Sequence, residues 1–217
     1  MPGAITPTGI PKPAGPEHAE RMAEATTAQK SMAVPLTAFT VGAVVAVLVG
    51  VFARVHDPSV AHTTSLGFST VIGMKVVLAT VAGVLAVLQL IGALWMYGKL
   101  GGAAPSWVGT AHRISGVTAL VLALFVAYNC LFALGLEYGT TADGYKVPAR
   151  AVIHGVLGCV FFGAIVVKVT AVRSKRAPGW FLPVAGGLIF AVLVALVLTS
   201  AVWYLSSKGW PTGGGYS

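Results

Sequence analysis

Five long apolar runs decide what this chain can fold into. They span residues 34–54, 70–97, 108–136, 148–172 and 181–205, and each is long enough to cross a hydrocarbon core that takes about 20 helical residues at 1.5 Å apiece. Lipid offers peptide groups no hydrogen-bond partner, so runs of this length must be helical. A barrel strand would be about half as long and would alternate apolar with polar residues. Charged residues make up only 9% of the chain, against roughly a quarter in a soluble domain. The prediction is an all-α polytopic membrane protein: five transmembrane helices, one domain, with the lipid bilayer as its solvent.

The ends are of different material. Residues 1–16 carry Pro2, Pro7, Pro11, Pro13 and Pro16, a composition that favours an extended, solvated tail, and residues 17–30 permit a short surface helix before the first span. Residues 206–217, with three consecutive glycines at 213–215, are expected to be loose. The first apolar run begins more than 30 residues in, so it is expected to be a span rather than a cleavable leader. The net charge of +8 does not point to nucleic acid, because the basic residues sit singly at the ends of apolar runs. Nine of them (Lys12, Arg21, Lys30, Lys99, Arg113, Lys168, Arg173, Lys175, Arg176) fall on the side of the N-terminus and five (Arg54, Lys75, Lys146, Arg150, Lys208) on the other. The excess of positive charge predicts a cytoplasmic N-terminus, an external C-terminus and a multi-pass protein of the cell membrane.

Two spans open alike, with His112-Arg113-Ile114-Ser115-Gly116 and His154-Gly155-Val156-Leu157-Gly158. A histidine near a helix end, with a glycine about one turn along the same face, can offer an imidazole to a flat cofactor and leave room for its ring. Haem is the cofactor this pattern points to. Successive spans run in opposite directions, so His112 is expected near the inner surface and His154 near the outer one. The two rings would stand roughly 30 Å apart along the membrane normal and could not share one haem. On the outer side His62 or His56 in the first loop is a candidate partner for His154, with Met74 nearby. On the inner side only Met96 and the tail, with His18, offer donors. Arg150 and Arg113 stand near the two histidines, where a guanidinium could meet a haem carboxylate. The candidate cofactor residues are therefore His154, His112, His62, His56, Arg150, Arg113, Gly158 and Gly116, with His154, His112 and His62 as the candidate iron ligands.

The paired HxxxG starts on consecutive short-looped helices resemble the b561-type transmembrane b-type cytochromes over residues 107–172. That resemblance implies haem b held between histidines of neighbouring helices and electrons moved across a membrane. Those cytochromes pair four intramembrane histidines at equal depth, whereas only two lie within spans here. The chain as a whole resembles small integral membrane proteins of actinobacteria with no assigned activity.

Other chemistries lack their residues. There is no nucleotide-binding glycine loop, HExxH zinc pattern, nucleophile elbow or mid-membrane carboxylate, which argues against soluble-type catalysis and ion coupling. Cys130 and Cys159 read as small buried apolar groups, and Gln89 and Asn129 as interhelical hydrogen-bond glue. Gly42-xxx-Ala46-xxx-Gly50 and Gly155-xxx-Cys159-xxx-Gly163 form smooth seams that let helices approach closely. The leading expectation is a haem b protein exchanging electrons with a quinone or a redox protein. The alternatives are a cofactor-free subunit or anchor of a larger membrane complex, and a transporter component with Lys75 and Asn129 on a pore.

Overall fold

The computed structural model describes residues 16–59, 61, 63–136, 138–141 and 144–211, and between 16 and 31 the side chains of Glu17 and Arg21 alone. The tail at 1–15, the end at 212–217 and His62 lie outside the described residues. The helices are α1 (Pro16–Val55), α2 (Val71–Met96), α3 (Ser106–Asn129), α4 (Ala149–Arg173), α5 (Phe181–Val197) and α6 (Trp203–Lys208). Two single π-helical turns extend this set: Cys130–Leu134 continues α3, and Leu198–Val202 joins α5 to α6 in one rod. Five of these segments are long and apolar enough to cross a membrane: Met32–Val55, Val71–Met96, Ser106–Leu134, Ala149–Arg173 and Phe181–Lys208. Among the described residues there is no strand, only an isolated bridge between Thr140 and Lys146. The protein is all-α and multi-pass.

Local chemistry sets most of the boundaries. Thr70 caps α2 by accepting a hydrogen bond from the Gly73 amide at 2.9 Å. Pro105 and Pro148 stand immediately before α3 and α4, where a proline keeps the residue ahead of it out of helical geometry. Gly135, at φ +65°, ends the π turn of α3 in a conformation that side chains with a Cβ rarely adopt. One boundary differs from expectation. The helix before the first span and the span itself form one continuous helix through Pro35. A proline inside a membrane helix is tolerated where neighbouring groups or water satisfy the freed carbonyl.

The helices pack in the order α3–α2–α5–α4–α1, and α3 and α4, consecutive in sequence, make little contact. Each span reverses the last, so every close pair is antiparallel. The tightest crossing is α1 on α4, where the two glycine seams meet. A Cβ on Gly42 would lie 2.7 Å from the Gly163 carbonyl oxygen, and one on Gly163 would lie 3.1 Å from Ala46 Cβ, so the backbones touch. One core cluster joins Ala38, Val167, Ala171, Phe181 and Ala185 from α1, α4 and α5. A second joins Ala86, Phe161, Val192 and Leu193 from α2, α4 and α5. The outward faces remain apolar: Val47, Leu48 and Ile114 are 63, 61 and 63% exposed, which suits lipid and would be a liability in water.

At the end of the bundle that holds His154, hydrogen bonds close the gap between the first and third spans. The Leu136 amide donates to the Ala53 carbonyl at 2.7 Å and the Ser59 amide to the Phe132 carbonyl at 2.9 Å. Asn129, 1% exposed, accepts from the Thr64 amide at 3.0 Å and donates to the Phe125 carbonyl. The helix arc is thereby drawn into a ring at this end.

Gly163→Val is expected to destabilise the detergent-solubilised protein by about 1–3 kcal/mol, the usual range for overpacking. Gly158→Ala, whose Cβ would meet nothing within 4 Å, should cost nothing measurable. Equal losses at both positions in equilibrium unfolding would remove the α1–α4 contact as the cause.

Candidate ligand-binding site

Where α3 and α4 fail to meet, the bundle leaves an apolar cavity of about 120 Å³, small beside the roughly 300–1,000 Å³ of most small-molecule pockets. All five spans line it. Much of the wall is made by Ala53, Ala79, Ala82, Ala123, Ala127 and Gly158, and the heteroatom side chains on it are His154, Cys130, Cys159 and Ser200. Both π turns border it, through Cys130 and Leu131 on one side and Ser200 on the other. Such turns are rare and recur at functional sites.

His154 is held by the second π turn. Its Nδ1 lies 3.0 Å from Thr199 Oγ1, and that hydroxyl donates its single proton to the Ala195 carbonyl at 2.7 Å. The hydroxyl can therefore only accept from the ring, which puts the imidazole proton on Nδ1 and leaves the lone pair on Nε2. Hydrogen-bond partners of the other ring nitrogen orient metal-binding histidines in the same way. Arg150, four residues earlier on α4, donates to the Thr199 carbonyl at 2.6 Å and stacks on the Trp203 ring with its guanidinium carbon 3.5 Å from the centroid. One residue, Thr199, thus holds both His154 and Arg150 of α4.

Beside the apolar cavity lies a second space of about 140 Å³, lined by Lys75, Arg150, Trp203 and Tyr204 among others. Ala79, Val126, His154 and Ser200 line both, so His154 stands at the junction of an apolar chamber and a cationic vestibule. Lys75 and Arg150 both lie within electrostatic range of the His154 ring.

The other candidate residues are placed differently. His56 stacks on Phe52 (centroids 4.9 Å apart, planes at 14°) and meets Phe132 edge-on at 5.3 Å. Its Nε2 is buried without a hydrogen-bond partner, and it lines neither cavity. Fully buried Met74 also lines neither cavity. His112 packs against Gly92 of α2, where an added Cβ would lie 3.3 Å from its buried, unpartnered Nδ1. Gln89 donates to the His112 carbonyl at 2.5 Å and to Ser115 Oγ at 2.6 Å. The same side chain fills the face of Gly116, where a Cβ would stand 3.0 Å from Gln89 Oε1. The glycine read as clearance for a cofactor instead makes room for a glutamine, and Arg113 is exposed. The HxxxG start at His154 lines both of these cavities, and the one at His112 lines neither. Among the described residues no cluster of three or more His, Cys, Asp or Glu side chains could hold a metal ion.

A family model matches residues 32–212, the bundle and the segments that line both cavities. The chain belongs to the DUF6529 family. That family is one of unknown function, and the match covers all five spans and both π turns. No curated protein and no solved structure matches the chain.

Sequence reasoning missed Thr199, Ser200 and Lys75 as parts of this site. Thr199 and Ser200 are the sole adjacent hydroxyl pair in the last apolar run, a polar interruption that could have singled them out. Thr199→Val should release the ring and mix its tautomers, whereas Thr199→Ser should keep the proton on Nδ1. Nitrogen-15 chemical shifts of the histidine rings read this directly, and an unchanged tautomer in Thr199→Val would remove Thr199 from its orienting role.

Proposed function

We propose that this protein binds one haem b at the His154 end of the bundle and exchanges electrons there with a quinone or a redox protein. The carrying observation is His154 itself, locked by Thr199 in the tautomer with a lone pair on Nε2 beside an apolar chamber. Nε2 is a haem-iron donor and the vestibule cations suit the carboxylates of the group, while the cavity of about 120 Å³ must open between α3 and α4 to admit the macrocycle. Haem, when bound, supplies a one-electron redox centre.

The chain's own contributions can be stated residue by residue. Thr199 orients His154 and Gly158 leaves space on its face. Arg150 is held by Thr199 and Trp203, and its remaining N–H donors are available to an anion. His154 is the one histidine on the walls of the two cavities among the described residues, which disfavours the bis-histidine pairing with His56. His112, packed among Gly92, Gln89 and Ser115, favours one haem over two. The excess of positive charge on the N-terminal side supports a cell-membrane protein with its N-terminus in the cytoplasm and the haem near the outer face.

Purified protein is expected to be coloured, with a Soret band and a reduced α-band at a haem-to-protein ratio near one. His154→Ala should abolish the colour and His112→Ala should retain it. A colourless protein that folds normally would falsify the haem reading and leave a cofactor-free membrane subunit. Loss of colour only in His112→Ala would move the site to the other end of the bundle.

A further inference from the structure

The vestibule carries two cations, and no carboxylate lines either it or the adjoining chamber. Lys75 comes from α2 and Arg150 from α4, two helices that the wall of this space brings together. Both side chains are half-buried. Ordinary snorkelling would carry an interfacial arginine outward to the headgroups. Arg150 is instead turned onto the π turn, bonded to the Thr199 carbonyl and stacked on Trp203. That leaves most of its five N–H donors unspent, in a space it shares with a lysine. A cation within a membrane span normally pairs with an opposite charge or a carbonyl; Arg150 has the Thr199 carbonyl, whereas Lys75 has neither among the described residues. An anion in this space would pair Lys75 and take up the remaining Arg150 donors, and the chamber that shares His154, Ala79, Val126 and Ser200 with it is lined mainly by apolar side chains.

We propose that Lys75 and Arg150 seat the acidic head, a carboxylate or a phosphate, of an amphiphile whose apolar body occupies the adjoining chamber. Tyr204 and Trp203 wall this seat, as amphipathic rings do at a membrane interface. Lys75 becomes a recognition residue rather than a membrane-edge marker. The seat does not depend on haem. A lipid acid and a haem carboxylate present the same chemistry to it, and the two are separable by experiment.

The test uses the full chain in a nonionic detergent, with native mass spectrometry reading occupancy. Decanoic acid is compared with decanol, with acetate and inorganic phosphate as heads lacking a body, and haem b is compared with its dimethyl ester. The acid member of at least one amphiphile pair is expected to bind about tenfold better than its neutral counterpart, the effect of two nearby cations on an anionic head. That preference should fall towards one in Lys75→Gln/Arg150→Gln and persist in Arg150→Lys, which keeps the charge. It should also persist in Lys208→Gln, which alters an exposed lysine that lines neither cavity. Discrimination in either pair supports the seat and names its source. Equal binding within both pairs, a preference that survives the double variant, or acetate and phosphate binding as tightly as decanoic acid would each overturn it. A colourless protein that still prefers decanoic acid keeps this inference while losing the haem reading, because the readout is head-group preference and not colour.

Discussion

A polar group inside hydrocarbon has no water to fall back on, and most features of this protein follow from how it meets that constraint. Backbone groups meet it by forming helices, and several polar side chains meet it by tying helices or loops together, although His56 Nε2 and His112 Nδ1 are left without a partner. Gln89 bonds α2 to the His112 turn of α3, and Asn129 ties the first loop to the end of α3. Thr199 satisfies its own proton on the preceding turn and still accepts from His154. Each bond is worth only about 1 kcal/mol on average even in membranes. Leaving its partner unpaired would cost more, so these few bonds fix positions out of proportion to their number.

The candidate site is a consequence of imperfect helix packing. Close contact of α1 with α4 through Gly42 and Gly163 pulls those helices together, while α3 is held on the far side by α2. The space between α3 and α4 is then lined by a mixture of alanine, glycine and larger apolar side chains such as Phe161 and Phe162. Two π turns border it, and the one at Leu198–Val202 carries the Thr199 carbonyl that accepts from Arg150. The result is asymmetric: the His154 end has a chamber with an oriented imidazole, whereas at the other end glutamine and glycine close the corresponding space against His112.

The residues that carry this asymmetry show how much could be read in advance. The two HxxxG starts are equivalent as sequence, yet Gly116 faces a side chain from α2 and Gly158 faces open space. No local pattern distinguishes them, because the difference lies in which neighbouring helix supplies a long side chain at that depth. His56 likewise belongs by sequence to a polar loop, and only the folded chain lays it against Phe52 and Phe132. Lys75 has the spacing of an interfacial anchor and acquires a different character from sharing a cavity with Arg150.

The sequence by itself determined that the chain is helical and spans a membrane five times, since length and apolarity are properties of each segment alone and lipid admits no other backbone solution. It also determined the glycine seams, because a missing Cβ is local. Tertiary structure alone decided which seams meet, which helices leave a cavity and which histidine borders it. Those outcomes depend on the order α3–α2–α5–α4–α1, which arises from side-chain contacts between segments far apart in the chain.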